Sequence, residues 1–260
     1  MPCIVYGLLR IPWADLKTSE KFIMVEPYKL FYWPSIQGRG EFVRLALEEA
    51  GADYVDVARR EGGVDLLMAA LDVEEYPAFA PPFLKAGELV IGQVANILLY
   101  LGEQHGLAPR TDPGRLWVHQ LQLTIADLVT EAHDTHHPIA SALYYEDQKP
   151  EALRRSADFV ESRIPKFMAY FARLLSNPEP RDYLTGDKVT YADLSLFQVI
   201  EGLRYAFPNA MKKIEQEHPV LTSLRDRVAA RPNIAAYLAS ERRIPFNQEG
   251  IFRRYPELDQ

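Results

Sequence analysis

The sequence predicts an α/β domain followed by an all-α domain. Three observations predict it. Residues 28–101 alternate β-forming runs and helical patterns in the order strand, helix, strand, hairpin, helix. The segment His105-Gly-Leu-Ala-Pro-Arg-Thr-Asp-Pro-Gly114 then interrupts the chain with two glycines and two prolines. Everything after it is helical in pattern. The expected division is an extension over 1–27, an α/β domain over 28–104, a linker over 105–114 and a helical domain over 115–260.

Each element has a local reason. Tyr28-Lys-Leu-Phe-Tyr-Trp33 is rich in β-formers and predicts the first strand. Pro34 to Gly38 is a turn. Val43, Ala46, Leu47 and Ala50 fall at i, i+3, i+4 and i+7, so Glu41 to Ala50 is a helix, with Gly51 as its C-cap. Tyr54 to Val57 is the second strand, and so compact a unit implies parallel pairing. Residues 61–78 read as a loop with a weak helix from Val64 to Leu71. Phe83-Leu84 and Leu89-Val-Ile91, split by Lys85 to Glu88, form the hairpin. Pro81-Pro82 at its entry is a candidate cis bond, since only X-Pro bonds make that form cheap. A helix follows from Val94 to about Gln104.

In the second half, Leu121, Ile125, Leu128 and Ala132 share one face of a helix from Arg115 to about His137. Glu151 to Leu175 is a second long helix that Pro165 should kink. Thr190-Tyr-Ala-Asp193 is a capping box, with Val189 and Leu194 placed for a hydrophobic staple. The helix after it is apolar on most sides and predicts the core of its domain. Shorter helices are expected at 220–230 and 234–240, then a surface-packed tail over 242–260.

Composition bounds the function. A net charge of −7 argues against a nucleic-acid partner. Cys3 is the one cysteine, which excludes an intrachain disulfide and fits a reducing cytoplasm. No apolar run approaches the roughly 18 residues of a membrane helix, and no signal-peptide layout opens the chain. Met24 stands just before the first strong strand and is an expected start residue, which would make Cys3 irrelevant to function.

The hairpin region carries Pro81-Pro82-Phe83-Leu84, Ala86-Gly87 and Gln93-Val94-Ala95-Asn96-Ile97. It resembles the glutathione transferase pattern Val-Pro-x-Leu, Asp-Gly, Gln-Ser-x-Ala-Ile. Lys29-Leu-Phe-Tyr-Trp33, Gly38-Arg-Gly-Glu41 and the Thr190 to Asp193 helix start extend the resemblance over about residues 28–240. The likeness is to tyrosine-type members of the sigma, mu and pi kind, with a bacterial look. It implies a thioredoxin-like first domain, glutathione as substrate, a homodimer and no metal.

The resemblance also implies site residues. Matching the strand puts Tyr32 at the position whose hydroxyl holds the glutathione sulfur as thiolate, with a loop to Gly38 one residue longer than in the family. Lowering a thiol by two pH units from about 8.5 is worth about 2.7 kcal/mol. Ser35 is the alternative activator, and a core-packed strand tyrosine the structural one. Gln93 and Val94 would hold the γ-glutamyl end, although Val94 lacks the family's serine hydroxyl. Pro81 keeps its carbonyl for the cysteinyl backbone but has no N–H, and Pro82 would be the cis residue. Arg39 would face the glutathione carboxylates. Asp127 would reach across a twofold axis to the γ-glutamyl amine, unless both are interface ion pairs.

His133-Asp-Thr-His-His137 offers four metal-ligand types in five residues, with His133 and His137 on one face. It lacks the Glu and third ligand of a zincin pattern, so no metal is expected. The alternatives are a helix terminus whose dipole favours histidine and, by resemblance, a second-substrate pocket lined by Trp33, His133 and His137. The expected function is conjugation of glutathione to an apolar electrophile. A non-catalytic ligand-binding protein on the same fold is the alternative, and a metal-binding helper a third.

Overall fold

The computed structural model describes residues 26–73, 76–176 and 178–260. Cys3, Met24 and most of the expected extension lie outside them. The first domain runs β1 (Tyr28–Phe31), α1 (Gly40–Ala50), β2 (Tyr54–Asp56), α2 (Gly63–Val73), β3 (Phe83–Ala86), β4 (Leu89–Gly92) and α3 (Val94–His105). Its sheet has the order β2-β1-β3-β4. The β1–β2 pair is parallel, and the β1–β3 and β3–β4 pairs are antiparallel. This is the thioredoxin-like order. The Pro81–Pro82 bond is cis, as expected.

Successive side chains of a strand face opposite sides. Leu30 and Leu84 therefore join the main core with α1 and α3, while Phe31 and Phe83 stack at 4.5 Å on the other face above Leu67 and Ala70 of α2. Two expectations change here. The first strand ends at Phe31, which leaves Tyr32 and Trp33 beyond it. The weak helix of 64–71 is a full one that starts at Gly63, where a Cβ would lie 1.9 Å from the Val57 carbonyl oxygen.

The second domain comprises α4 (Asp112–Asp134), α5 (Lys149–Asp158), α6 (Ile164–Ser176), α7 (Tyr191–Ala206), α8 (Pro208–Glu217), α9 (Pro219–Ala229) and α10 (Pro232–Leu238). Thr111 caps α4 by accepting from Gly114 N–H at 3.3 Å, so the helix starts three residues before the expected Arg115. It ends at Asp134, before Pro138. The kink expected at Pro165 appears as a π-turn over Phe159–Arg163, directly N-terminal to it. Proline cannot donate to the preceding turn, and the wider turn relieves its ring clash. The Thr190–Asp193 capping box forms, and α7 is buried along nearly its whole length. Helix α8 was not expected.

The tail is a clasp between the domains. Asp259 accepts from Asn209 and Ala210 N–H at 2.7 and 3.1 Å, capping α8. Asn247 donates to the Ser35 carbonyl at 2.8 Å, and Gln37 donates to the Ile244 carbonyl. Arg242 pairs with Glu48 and Arg243 with Glu41. Tyr145 stacks on Tyr255 at 3.8 Å and donates to Glu257. Tyr144–Gln148 and Arg242–Asn247 are parts of this clasp, and the latter opens the tail that was expected to pack on the surface.

Candidate active site

A cavity of about 620 Å³ lies on the seam between the domains. The first domain contributes Arg39, Pro81, Pro82, Gln93 and Val94; α4 contributes His119, Gln122, Ala126, Val129 and Thr130. Five of the residues read as glutathione-binding therefore meet at one place. Among the described residues Arg39 is the one charged residue in the lining, and no described Asp or Glu takes part.

The backbone around Gln93 is unusual. It is the N-cap of α3, with φ 66° and ψ 124°, and among the described residues it is the one non-glycine with positive φ. Such a conformation costs of order 1–3 kcal/mol and clusters at ligand sites. It sets Gln93 at the cavity with its carboxamide unpartnered by any described residue. The N-terminus of α3 faces the same space through Val94, Ala95 and Asn96, whose N–H groups have no helical partner.

Tyr32 is organised by the glycine motif that follows it. A Cβ on Gly38 would sit 2.0 Å from the Tyr32 hydroxyl, and one on Gly40 would sit 2.5 Å from its ring. Gly38 also has φ +44°. Side chains at either position would displace the ring. The loop wraps Tyr32 and aims Arg39 N–H at its oxygen, 2.8 Å away. Burial raises the Tyr32 pKa, against the partial opposition of that N–H and of the Arg39 and Arg44 charges. The phenol therefore keeps its proton at neutral pH and has a donor to give. Its side chain is buried and does not line the cavity. Ser35 is exposed and donates to Glu249 of the tail at 3.3 Å.

Beyond Thr130 the same face of α4 reaches His133. The rings of His133, His136 and His137 lie within 5.1 Å of one another. His136 Nε2 meets the Ile251 carbonyl at 2.8 Å, and its Nδ1 meets His137 Nδ1. Burial lowers His136 to about 3 and His137 to about 4, and the Arg253 charge adds to both. Both are neutral at pH 7, which fixes their tautomers. A carbonyl only accepts, so His136 carries its proton on Nε2. Its bare Nδ1 must then accept from His137 Nδ1–H, which leaves His137 Nε2 as an acceptor. Burial likewise lowers His133, helped by the charge of Arg39. None of the three histidines lines the cavity; the cluster lies past Thr130, at the end of α4.

Two predicted residues stand apart. Asp127 is exposed and does not line the cavity, although its neighbour Ala126 does. Trp33 is 38% exposed and makes no ring contact with the histidines. Among the described residues no group of three His, Cys, Asp or Glu is placed to hold a metal. The sequence reading missed His119 and Gln122. Their signal was a polar pair spaced i, i+3 on a helix whose next apolar residues are Leu121 and Ile125.

A mixed four-stranded sheet joined to a helical domain, with a cavity on the seam, defines the glutathione transferase fold. Residues 133–241 match the family model for the glutathione S-transferase C-terminal domain. A glutathione S-transferase P 1 of Xenopus laevis is 27% identical over 221 residues, covering 83% of this chain and 93% of that one. A class-mu 26 kDa isozyme of Fasciola hepatica is 25% identical, covering 83% and 90%. The Onchocerca volvulus Pi-class enzyme superposes with a TM-score of 0.64 at 21% identity, over 82% of this chain and 92% of that one. The chain carries a glutathione S-transferase C-terminal domain over residues 133–241 and is similar over most of its length to glutathione S-transferases. The bacterial look finds no support among these relatives.

Proposed function

We propose that this protein binds glutathione in the seam cavity and transfers its sulfur to an apolar electrophile. The observation that carries the reading is the convergence of Arg39, Pro81, Pro82, Gln93 and Val94 on one cavity. Glutathione carries two carboxylates and one ammonium at neutral pH. Arg39 and the N-terminus of α3 supply the positive potential such a ligand needs. Gln93 and the Val94 N–H hold the γ-glutamyl end, and the Pro81 carbonyl accepts from the cysteinyl N–H.

In the reaction the thiol releases its proton to solvent. Tyr32 lies behind Arg39 rather than in the lining, so this reading seats the sulfur at the Arg39 end of the cavity, where the thiolate accepts a hydrogen bond from the Tyr32 hydroxyl, then attacks the electrophile and displaces its leaving group or opens its double bond. The hydrogen bond from Arg39 N–H to the Tyr32 oxygen polarises O–H and makes it a better donor. The neutral histidines His133 and His137 are read as the wall that meets the second substrate; Trp33, the third residue of that reading, touches none of their rings. His137 Nε2 offers that substrate a hydrogen-bond acceptor.

A homodimer fits the exposed apolar surface. Phe79 is 97% exposed at the cavity's edge, and Leu116 and Leu123 stand exposed on α4. Asp127 would act across that interface. No helix among the described residues is long and apolar enough to cross a membrane, and a cytoplasmic enzyme is the reading adopted.

Two departures favour the second reading, a ligand-binding protein without efficient catalysis. Val94 lacks a hydroxyl and Pro81 lacks an N–H. Together they would weaken glutathione by tens-fold, at about 1.4 kcal/mol per tenfold. Conjugation of a generic aryl halide, measured for wild type and Tyr32→Phe, separates the two. The transferase reading expects a fall in kcat of about 100-fold or more in the variant. Equal turnover removes Tyr32 from the mechanism, and no turnover by wild type favours the binding protein.

A further inference from the structure

We propose that the face of the sheet beneath α2 holds a second small-molecule site, which takes an amphipathic anion: a carboxylate with an alkyl tail. A cavity of about 500 Å³ opens there, within the size range of small-molecule sites. It shares no lining residue with the seam cavity. Phe31, Val55 and Val57 form its apolar floor, and Leu66 and Ala69 of α2 form one wall. Lys29, Arg60 and Lys85 complete the lining, so each charged group in it is a cation.

Strand alternation builds this arrangement. Leu30 points into the main core, so its neighbours Lys29 and Phe31 face the other side of the sheet, toward α2. Helix α2 covers that face only in part. Leu67 and Ala70 pack on Phe31 and Phe83, while Leu66 is 58% exposed at the cavity. Wet apolar surface of this kind favours an apolar tail.

The register supplies the head group's site. Lys29 stands directly opposite Lys85 across the β1–β3 pair. Like charges directly opposite destabilise a strand pair. Lys29 meets Glu26 at 3.7 Å, Lys85 reaches over the Phe31 ring at 6.0 Å, and Arg60 adds a third cation from the turn before α2. A carboxylate seated among the three offsets their repulsion and hangs its tail over the apolar floor. An inorganic anion leaves that floor wet, and a neutral lipid gains nothing from the cations. Charge and apolar surface together therefore select a ligand that carries both.

The test is calorimetric titration at pH 7.5 and low salt with octanoate, 1-octanol and propionate. Wild type should bind octanoate about tenfold more tightly than 1-octanol and should give no saturable heat with propionate. The double variant Lys29→Met, Lys85→Met keeps the apolar stems. It should weaken octanoate about tenfold and leave 1-octanol within twofold of wild type. Ala69→Trp, at an exposed position of α2, should fill the groove and weaken both ligands at least tenfold. If that variant fails to fold, the lysine variant decides. No saturable octanoate binding, equal affinity for octanoate and 1-octanol, or octanoate affinity unchanged in the lysine variant overturns the proposal. Octanoate affinity unchanged in a folded Ala69→Trp also overturns it, by placing the anion elsewhere on the protein. The glutathione reading stands or falls independently of each result.

Discussion

Replacing Glu41 by Gln should loosen the whole seam. Glu41 is fully buried at the first turn of α1 and holds three partners, two of them from the far end of the chain. Arg44 Nη1 lies 3.2 Å away, the Tyr237 hydroxyl donates at 2.7 Å, and Arg243 of the tail pairs with it directly. Arg44, also fully buried, bonds Asp56 at 2.7 Å and the carbonyls of Ile36 and Gln37. Two acids thus balance two arginines. Gln keeps the shape and removes one negative charge, which leaves a buried cluster with net positive charge. Breaking a buried pair from one side costs about 3–5 kcal/mol. With a urea slope near 3 kcal/mol per molar, the midpoint should fall by roughly 1–2 M. The assay is urea unfolding followed by circular dichroism, at one fixed protein concentration because any dimer adds stability by mass action. A shift below about 0.3 M would refute the reasoning. It would mean that the network is solvated, or that Arg243 swings out at no cost.

Two further predictions follow from single contacts. His136 is buried and neutral, held down to about 3 against an ordinary 6.5. The unfolded chain therefore binds more protons below pH 6.5, so stability is full above 6.5 and is lost as pH falls toward 3, by on the order of 4 kcal/mol at the bottom of that range. His136→Gln should flatten this acid limb in melting temperature against pH; an unchanged limb would assign it to other groups. Asp259→Ala removes the acceptor for two N–H groups of α8. It should cost about 1–2 kcal/mol in urea unfolding, and hydrogen exchange should rise first in the first turn of α8.

Legibility in the sequence followed the range of the signal. The hairpin, the Gly51 cap and the Thr190–Asp193 box are set by residues a few positions apart, and each formed where expected. Helix α8 was missed because its cap, Asp259, lies about 50 residues downstream of Asn209. The start of α4 was misplaced because Asp112-Pro-Gly114 has turn chemistry, yet Thr111 caps it and proline is tolerated in a first turn. Gly38-Arg-Gly40 was read as a family mark. Its physical reason, clearance for the Tyr32 ring, appeared only in three dimensions. The cavity residues of the first domain were legible through the hairpin, whereas His119 and Gln122 were hidden in an ordinary amphipathic pattern.

The central claim is that the seam cavity is a glutathione site built on Gln93. Calorimetric titration of glutathione into wild type and Gln93→Ala tests it most directly. The account predicts binding in the micromolar to low millimolar range, weakened about tenfold by the substitution. Equal affinity in the two proteins, or no heat at several millimolar glutathione with wild type, would contradict it.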